Sequence, residues 1–242
     1  MKKVFVKTKN VKKFVALMSE LQELPPNIPK MALVFGDYGL GKSETIQWWC
    51  FKNNCVYVRA NQGMTRKWLL SEIAIELGEK PNWNSQENFE LIERKLQQET
   101  KTIVIDEVDY LIEKKSVETL RDLHDRTGCP MVLVGMEYLD RKLAKYPHLL
   151  DRIYKTFKFE NYDKEDIMQI LSELSDINIT NDGLEYLTTR ANQFRQIVKL
   201  VNQVEKLAKT NQILELNETT LRNLLNERTN ITTLQKNKLL YA

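Results

Sequence analysis

The chain has 242 residues, of which 42% are hydrophobic and 29% are charged, and its net charge is +3. These values are typical of a globular protein with a substantial core, built as one large domain or two smaller ones. No stretch approaches the length of a membrane span, the start lacks the apolar core of a signal peptide, and the three cysteines suit a reducing compartment. We therefore expect a cytoplasmic protein with no membrane partner.

The N-terminal segment is basic and then helical. Residues 1–13 contain six lysines and no acidic residue, which indicates either a solvated arm or a surface for a polyanion. Apolar side chains at helical spacing between Val11 and Leu24 predict a helix. The proline-rich stretch Pro25–Pro29 is expected to end that helix and to lead into a strand.

The next segment has the pattern of a phosphate-binding loop. Met31–Phe35 is apolar and predicts a buried strand, Thr45–Phe51 predicts a helix, and Gly36-x-x-x-x-Gly41-Lys42-Ser43 lies between them. The glycines let backbone N–H groups face a polyphosphate, and the helix N-terminus adds a partial positive charge. Lys42 is expected at the β- and γ-phosphates of ATP, and Ser43 at Mg²⁺. The complete expected nucleotide site consists of Gly36, Asp37, Tyr38, Gly39, Leu40, Gly41, Lys42, Ser43 and Glu44.

Further strands and helices alternate after this loop. Val56–Ala60 predicts a second strand, and Thr65 could cap the helix that follows. The apolar face of that helix is predicted to contain Trp68, Leu69, Ile73 and Leu77. Phe89, Ile92 and Leu96 mark another amphipathic helix.

Two carboxylates follow the next apolar run. Lys101–Glu107 contains four consecutive apolar or β-branched residues, which predict a strand buried on both faces, as in a parallel sheet. Asp106 is expected to hold the shell of Mg²⁺, and Glu107 to orient and deprotonate the attacking water. An acidic pair after a strand also arises by chance, but the phosphate-binding loop upstream favours the catalytic interpretation.

The order of elements predicts an α/β fold. Cys129–Gly135 supplies one more strand, and alternating strands and helices indicate a parallel sheet with helices on both faces. Ligands of such sheets bind at the carboxyl ends of the strands. From Asp163 onward the apolar spacing is helical throughout. We expect an α/β nucleotide-binding core over residues 1–160, including a basic N-terminal arm over residues 1–29, and an all-helical lid over residues 161–242.

This layout resembles that of AAA+ ATPases, and more closely that of the target-DNA ATPases of phage Mu and related transposons. The resemblance covers nearly the whole chain. It rests on Met31–Ser43, Val58–Asn61, Trp68–Gly78, Ile105–Asp109, Leu120–Gly135 and Gln193–Val198. It implies a P-loop AAA+ core with a helical lid, ATP and Mg²⁺ as cofactors, slow DNA-stimulated hydrolysis, and assembly into a ring or helical filament.

The same resemblance assigns catalytic roles to two arginines. Arg152 matches the arginine finger, which reaches the γ-phosphate bound by a neighbouring subunit, and Arg195 matches the sensor arginine of the lid. A guanidinium fork can neutralise charge that develops on the transferred phosphoryl group. Simpler roles stay open: an ion pair at a helix end for Arg152, and a place on a polar helix face for Arg195.

Two departures from the family pattern matter. Many AAA+ proteins carry a polar sensor residue after the fourth strand, where this chain has Gly135-Met136-Glu137, which argues against fast hydrolysis. The Mu protein also has a helix-turn-helix domain ahead of its ATPase, and few residues precede Pro25 here. We therefore expect contacts with DNA to come from the core itself.

The leading functional hypothesis is an ATP-dependent protein that binds double-stranded DNA without sequence preference, oligomerises on it and recruits or activates a transposase. The alternatives are an initiator-type or loader switch that acts on a protein such as a replicative helicase, and an ATPase module of a defence or regulatory system. Candidate DNA contacts are basic residues on segments that follow core strands, although each could be an ordinary solvated side chain. They are Arg59, Arg66, Lys67, Lys114 and Lys115.

Overall fold

The computed structural model describes residues 1–2 and 4–225. The chain divides into two compact units, one formed by Asn10–Glu160 and the other by Met1–Lys9 together with Asn161–Ala242. Lys3 of the basic segment and residues 226–242 of the expected lid lie outside the described part. Within the described part, no helix is both long enough and apolar enough to cross a membrane.

The unit 10–160 is built on a five-stranded sheet in the order β2-β3-β4-β1-β5, and every strand pair in it is parallel. The strands are β1 (Met31–Gly36), β2 (Val56–Arg59), β3 (Ile103–Asp106), β4 (Met131–Gly135) and β5 (Ile153–Phe159). Every residue of the three inner strands is buried, which explains why their sequences are continuous apolar runs. The predicted parallel α/β core is confirmed.

Helices cover both faces of this sheet. They are α1 (Lys9–Glu23), α2 (Lys42–Asn53), α3 (Arg66–Glu76), α4 (Ser85–Gln98), α5 (Asp109–Glu113), α6 (Glu118–Thr127), α7 (Leu139–Leu143) and α8 (Pro147–Leu150). Alternate residues of β1 divide between two cores. Leu33 packs with α3, α4 and α6, whereas Val34 packs with α1 and α2. The nucleotide-loop helix α2 is therefore fixed on one face of the sheet by burial of its inner side.

One helix illustrates what the sequence pattern resolves and what it does not. Thr65 caps α3, as predicted, by accepting a hydrogen bond from the N–H of Trp68 at 3.3 Å. The placement of Trp68 on the buried face is wrong, because that side chain is 40% exposed. The helix instead turns Leu70 and Ala74 into the core beside Leu69 and Ile73. Leu69 and Ile73 therefore lie on the buried face as predicted, but the face as a whole is rotated toward Leu70 and Ala74.

Two cysteines form a bond that the sequence did not predict. Asn54 adopts a left-handed conformation that ends α2, so the chain turns back directly toward β2. This turn places Cys50 and Cys55 with their Cα atoms 5.0 Å apart, joined as a disulfide. Disulfides are rare in reducing compartments, so this pairing does not favour the expected cytoplasmic location, which stays a prediction.

The second unit is mainly helical. Its elements are α9 (Lys164–Leu174), β6 (Asn178–Ile179), α10 (Asn181–Thr188), α11 (Phe194–Thr210), β7 (Glu215–Leu216) and a helical segment over residues 218–225. The pair of two-residue strands is the one departure, within the described residues, from the expected all-helical unit. The N-terminal residues belong to this unit, since the terminal ammonium bonds to Asp176 and Glu205 and Lys9 pairs with Asp163 and Glu165.

Candidate nucleotide-binding site

The phosphate-binding loop lies between the carboxyl end of β1 and the first turn of α2. Gly41 precedes α2 with φ of 78°, a left-handed conformation that favours glycine. Gly36 has a second reason to be glycine, because an added Cβ would lie 2.7 Å from the carbonyl oxygen of Phe159 on the neighbouring strand β5. The loop thus approaches β5 closely and delivers the free N–H groups of α2 to one edge of the sheet.

Lys42 is held inside this loop. Its Nζ donates to the carbonyl oxygens of Gly36 at 2.7 Å and Asp37 at 2.6 Å, and the residue is buried. Burial lowers the pKa of the Lys42 ammonium, while the negative charges of Asp106 and Glu107 act in the opposite direction. A buried cation whose partners are two neutral carbonyls is suited to exchange them for an anionic phosphate.

Asp106 ends β3 at the same edge of the sheet. It is only 2% exposed, and each of its carboxylate oxygens accepts one hydrogen bond, Oδ1 from the N–H of Glu107 and Oδ2 from the hydroxyl of Tyr57, both at 2.9 Å. A carboxylate and the hydroxyl of Ser43 are the hard oxygen donors that suit Mg²⁺. No group of three or more His, Cys, Asp or Glu residues in the described chain is arranged to hold a metal ion, so Mg²⁺ would also require phosphate oxygens here.

Glu107 follows directly and is less constrained. Its backbone has φ of 58°, an uncommon conformation for a residue other than glycine. Its carboxylate forms an ion pair with Arg59 of β2, with Oε1 and Nη2 3.3 Å apart. The register explains the contact, since Arg59 lies beside Asp106 in the parallel ladder. The candidate catalytic base and a candidate DNA-binding residue therefore touch.

A third carboxylate, which the sequence analysis did not assign, fixes the turn after β4. Asp109 is buried, and its Oδ2 accepts the N–H of Met136 at 2.9 Å, while its Oδ1 pairs with Lys142 at 2.6 Å. Gly135 is required there, because an added Cβ would lie 2.4 Å from Asp109 Oδ2. In the sequence, Asp109 stands out only as the third acidic residue of Ile105-Asp-Glu-Val-Asp109, and that motif does not show its partner.

The expected sensor position carries an acid that is already paired. Glu137 lies just after β4, and its Oε1 is 2.7 Å from Nζ of Lys158 on β5. Asp109 holds the backbone of the same turn through the N–H of Met136. An anionic side chain does not stabilise a γ-phosphate, and slow hydrolysis stays a prediction.

Arg152 forms the ion pair that the sequence analysis left open. It follows α8, and its guanidinium contacts both carboxylate oxygens of Asp125 on α6, at 3.0 and 3.2 Å, as well as Asp151 at 2.7 Å. The pair is partly exposed. An exposed pair of this kind contributes about 0–1 kcal/mol, so it can open if a stronger anion is offered. The role of Arg152 in a neighbouring subunit stays a prediction.

Arg195 belongs to the other unit, in the first turn of α11. It is exposed, and its side chain has no hydrogen-bonding or ion-pairing partner among residues 1–2 and 4–225. The first turn of α11 contains no acidic residue either. A cation near a helix N-terminus is opposed by the helix dipole, so this position gives the unit no evident stability, and the sensor role stays a prediction.

The other candidate DNA contacts cluster only in part. Arg66 and Lys67 begin α3, and the loop with Lys114 and Lys115 lies beside the loop before α3, since Ser116 Oγ donates to the carbonyl of Met64 at 3.5 Å. These four side chains have no carboxylate partner in the described part of the chain, whereas Arg59 is paired. Arg66 also lines a surface cleft of about 680 Å³ that contains three acidic residues, so its surroundings are mixed in charge.

Comparisons with known proteins find an AAA domain in the part of the chain that contains the phosphate-binding loop. Residues 29–143, somewhat less than half of the chain, match a family model described as an AAA domain. A Staphylococcus aureus protein named "Potential ATP-binding protein" is 27% identical over 119 residues, which are 45% of this chain and 44% of that protein. The chain therefore matches less than half of the length of this relative.

Solved structures show the same fold over most of the chain. The ADP form of the Aeropyrum pernix ORC2 protein aligns with a TM-score of 0.68 and 16% identity, over 94% of this chain and 70% of that chain. The Aeropyrum pernix ORC1 protein in complex with DNA aligns with a TM-score of 0.61 and 17% identity, over 93% of this chain and 66% of that chain. The likeness establishes the AAA+ P-loop fold, and at these identities it establishes the fold alone.

Proposed function

We propose that this chain is an ATPase whose binding to double-stranded DNA depends on ATP and not on sequence. It assembles on the DNA and recruits or activates a transposase. The observation that carries the proposal is the meeting of the phosphate-binding loop, Asp106 and Glu107 at the carboxyl edge of one parallel sheet. That edge is where ligands bind in open α/β sheets.

The residues present supply the parts that phosphoryl transfer to water needs. Lys42 would exchange its two carbonyl partners for β- and γ-phosphate oxygens of ATP. Glu107 would orient a water and accept its proton as the water oxygen bonds to the γ-phosphorus and the bond to ADP breaks. Ser43 and Asp106 would hold Mg²⁺, which supplies neutralising charge for the phosphates when it is bound.

The contact between Arg59 and Glu107 supports a link between DNA binding and hydrolysis. Arg59 holds the carboxylate of Glu107 at 3.3 Å, and this ion pair would compete with a water beside the γ-phosphate for the same carboxylate. A DNA phosphate that captures Arg59 would release Glu107. The exposed pair contributes about 1 kcal/mol or less, so we expect this contact alone to account for a stimulation of about fivefold or less.

DNA binding without sequence preference is supported by four basic residues that have no carboxylate partner in the described part of the chain, although Nζ of Lys67 also lies 4.1 Å from the centre of the Trp83 ring. Arg66, Lys67, Lys114 and Lys115 would contact phosphates, which are the same at every position of a duplex. One subunit offers too few charges for tight binding, so an ATP-dependent ring or filament that repeats them along the duplex is part of the proposal. The ORC1 neighbour was solved in complex with DNA, which lends support at the level of the fold.

Gel-shift assays at two salt concentrations, on two duplexes of unrelated sequence with and without ATP, test this proposal. We expect ATP-dependent, cooperative binding that weakens steeply with salt and differs little between the duplexes. Charge reversal at Arg66, Lys67, Lys114 and Lys115 together should remove the shift and leave ATP binding intact. Undiminished binding by that variant would exclude these segments as the DNA site, and the lysine-rich N-terminal segment would be tested next.

The transposase is the partner that the motif resemblance supports. Electron microscopy with ATP, with and without duplex DNA, should show a ring or filament on DNA, and a transposase encoded beside the protein should bind that assembly. Absence of both the assembly and the transposase interaction would contradict the proposal.

An initiator-type or loader switch is the second candidate. The ORC2 protein of Aeropyrum pernix has the same fold, with a TM-score of 0.68 over 94% of this chain, which supports this candidate at the level of the fold. The two candidates differ in their protein partner, which for the second is a replicative helicase. If the ATP-bound protein binds a helicase encoded beside it rather than a transposase, the second candidate is correct.

A further inference from the structure

Tyr57 connects three segments of the nucleotide site, and nothing so far assigns it a role. It lies on β2 and packs on the side of the sheet that carries α2. Its hydroxyl reaches past Val104 to the end of β3, where it lies 2.9 Å from Oδ2 of Asp106. Gln47 of α2, four residues after Ser43, donates from Nε2 to the same hydroxyl at 3.0 Å.

The direction of these bonds is determined by chemistry. The hydroxyl of Tyr57 donates to Oδ2 of Asp106, so the single proton of the phenol points to Asp106. Gln47 then fills the acceptor side of the phenol. A phenol is a proton donor at neutral pH, which agrees with this direction. The chain Gln47, Tyr57, Asp106 therefore has one orientation.

The second oxygen of Asp106 is fixed as well, by the N–H of Glu107 at 2.9 Å. With one donor on each oxygen and almost no solvent exposure, the carboxylate plane has no freedom to rotate without breaking a bond. Metal-binding carboxylates that are oriented in this way by outer hydrogen bonds hold their metal more tightly.

We propose that Tyr57 is a positioning residue of the metal site, which orients the Asp106 carboxylate toward the Mg²⁺ of a bound Mg·ATP and takes its own orientation from Gln47. This role rests on the proposed nucleotide binding. Loss of an outer-shell partner typically weakens metal binding about 10- to 100-fold. Because the bond acts on the metal ligand and not on the phosphate loop, its loss should leave metal-free nucleotide binding unchanged.

The test uses Tyr57→Phe, which removes the hydroxyl and keeps the ring packed against α2. The dissociation constant of a fluorescent ATP analogue is measured once with excess Mg²⁺ and once with EDTA. The EDTA value divided by the Mg²⁺ value gives the factor by which the metal tightens binding. We expect the ratio to fall about 10-fold in Tyr57→Phe, with the EDTA value unchanged. Gln47→Met, which leaves the phenol in place without its donor, should show a smaller fall.

Tyr154→Phe is the matched control, since Tyr154 also donates its hydroxyl to a carboxylate, Glu20, at 2.9 Å, but on the exposed side of β5. Its ratio should equal that of the wild type. An unchanged ratio in folded Tyr57→Phe overturns the proposal. If circular dichroism shows that this variant does not fold, an unchanged ratio in Gln47→Met overturns it instead. Wild-type protein that binds no nucleotide overturns the proposed function and this role together, whereas intact metal dependence in Tyr57→Phe overturns only the role of Tyr57.

Discussion

Asp106 and Glu107 are adjacent acidic residues at one edge of the sheet, yet their surroundings differ sharply. Asp106 is buried and accepts a hydrogen bond on each oxygen, whereas Glu107 is partly exposed and has a single ion pair at 3.3 Å. Buried, fully bonded groups are costly to disturb, while exposed pairs open for about 1 kcal/mol or less. The fold therefore holds the carboxylate of Asp106 in one orientation, whereas the carboxylate of Glu107 can change partners.

The basic residues of the site show the same contrast between buried and exposed groups. Lys42 is buried in the loop with two short hydrogen bonds, while Arg59 and Arg152 form partly exposed pairs with acidic residues. We infer that the buried groups determine whether nucleotide binds, and that the exposed pairs determine when it is hydrolysed.

The largest expected effect is that of Lys42→Ala, which should abolish ATP binding because the only cation held inside the loop, among the described residues, is lost. Isothermal titration calorimetry with ATP and Mg²⁺ measures the effect. Lys155→Ala removes an exposed lysine side chain, paired with Glu20, and should bind ATP as the wild type does. Tight ATP binding by folded Lys42→Ala would mean that the nucleotide binds elsewhere.

Glu107→Gln should keep ATP binding and reduce hydrolysis by about 1,000-fold, because the amide has nearly the same shape but is a poor base. Steady-state release of phosphate measures the second part, and calorimetry the first. Glu113→Gln, at an exposed position on α5, serves as the control and should hydrolyse normally. Hydrolysis by Glu107→Gln at the wild-type rate would show that another group is the base.

How much of this site follows from sequence depends on how local its contacts are. The positions of Gly36–Ser43 and Asp106–Glu107 at strand ends could be predicted because each stretch lies in one strand and the turn after it. Tyr57 and Asp109 were missed because their partners are distant in sequence. Asp106, the partner of Tyr57, is 49 residues away at the end of β3, and Met136, the partner of Asp109, is 27 residues away just after β4. A single sequence shows neither register nor sheet order, and these two place such side chains together.

The fold shows the same limit. Continuous apolar runs predicted the buried strands, but they gave no strand order, and the face of α3 was displaced because Leu70 and Trp68 are both apolar enough to fill a helix stripe. The pairing of Arg152 with Asp125, 27 residues apart, was likewise open, although an ion pair of some kind had been considered.

Arg152→Ala tests whether an exposed arginine completes the site of a neighbouring subunit. We expect hydrolysis to fall about 100-fold, the cost of losing one stabilising donor in the transition state, with ATP binding retained. Mixing Arg152→Ala with Lys42→Ala should restore part of the activity, because the two proteins can form one intact composite site between them. Co-assembled mixtures without recovery at any ratio would place Arg152 outside the neighbouring site.

The smallest and most informative effect is expected from Arg59→Gln. This change frees Glu107 from its ion pair, so basal hydrolysis should rise, by about fivefold at most, since the pair contributes about 1 kcal/mol or less. The stimulation by duplex DNA should shrink by a similar factor, because the contact that DNA would relieve is already absent. Arg126→Gln is a closely matched control, since Arg126 pairs with Glu93 at the same 3.3 Å distance on the helical surface, and it should change neither value. A fall in basal hydrolysis with Arg59→Gln would show instead that Arg59 supports Glu107 as a base. The ion pair would then belong, like the bonds of Asp106, to the contacts that hold the site in its working geometry.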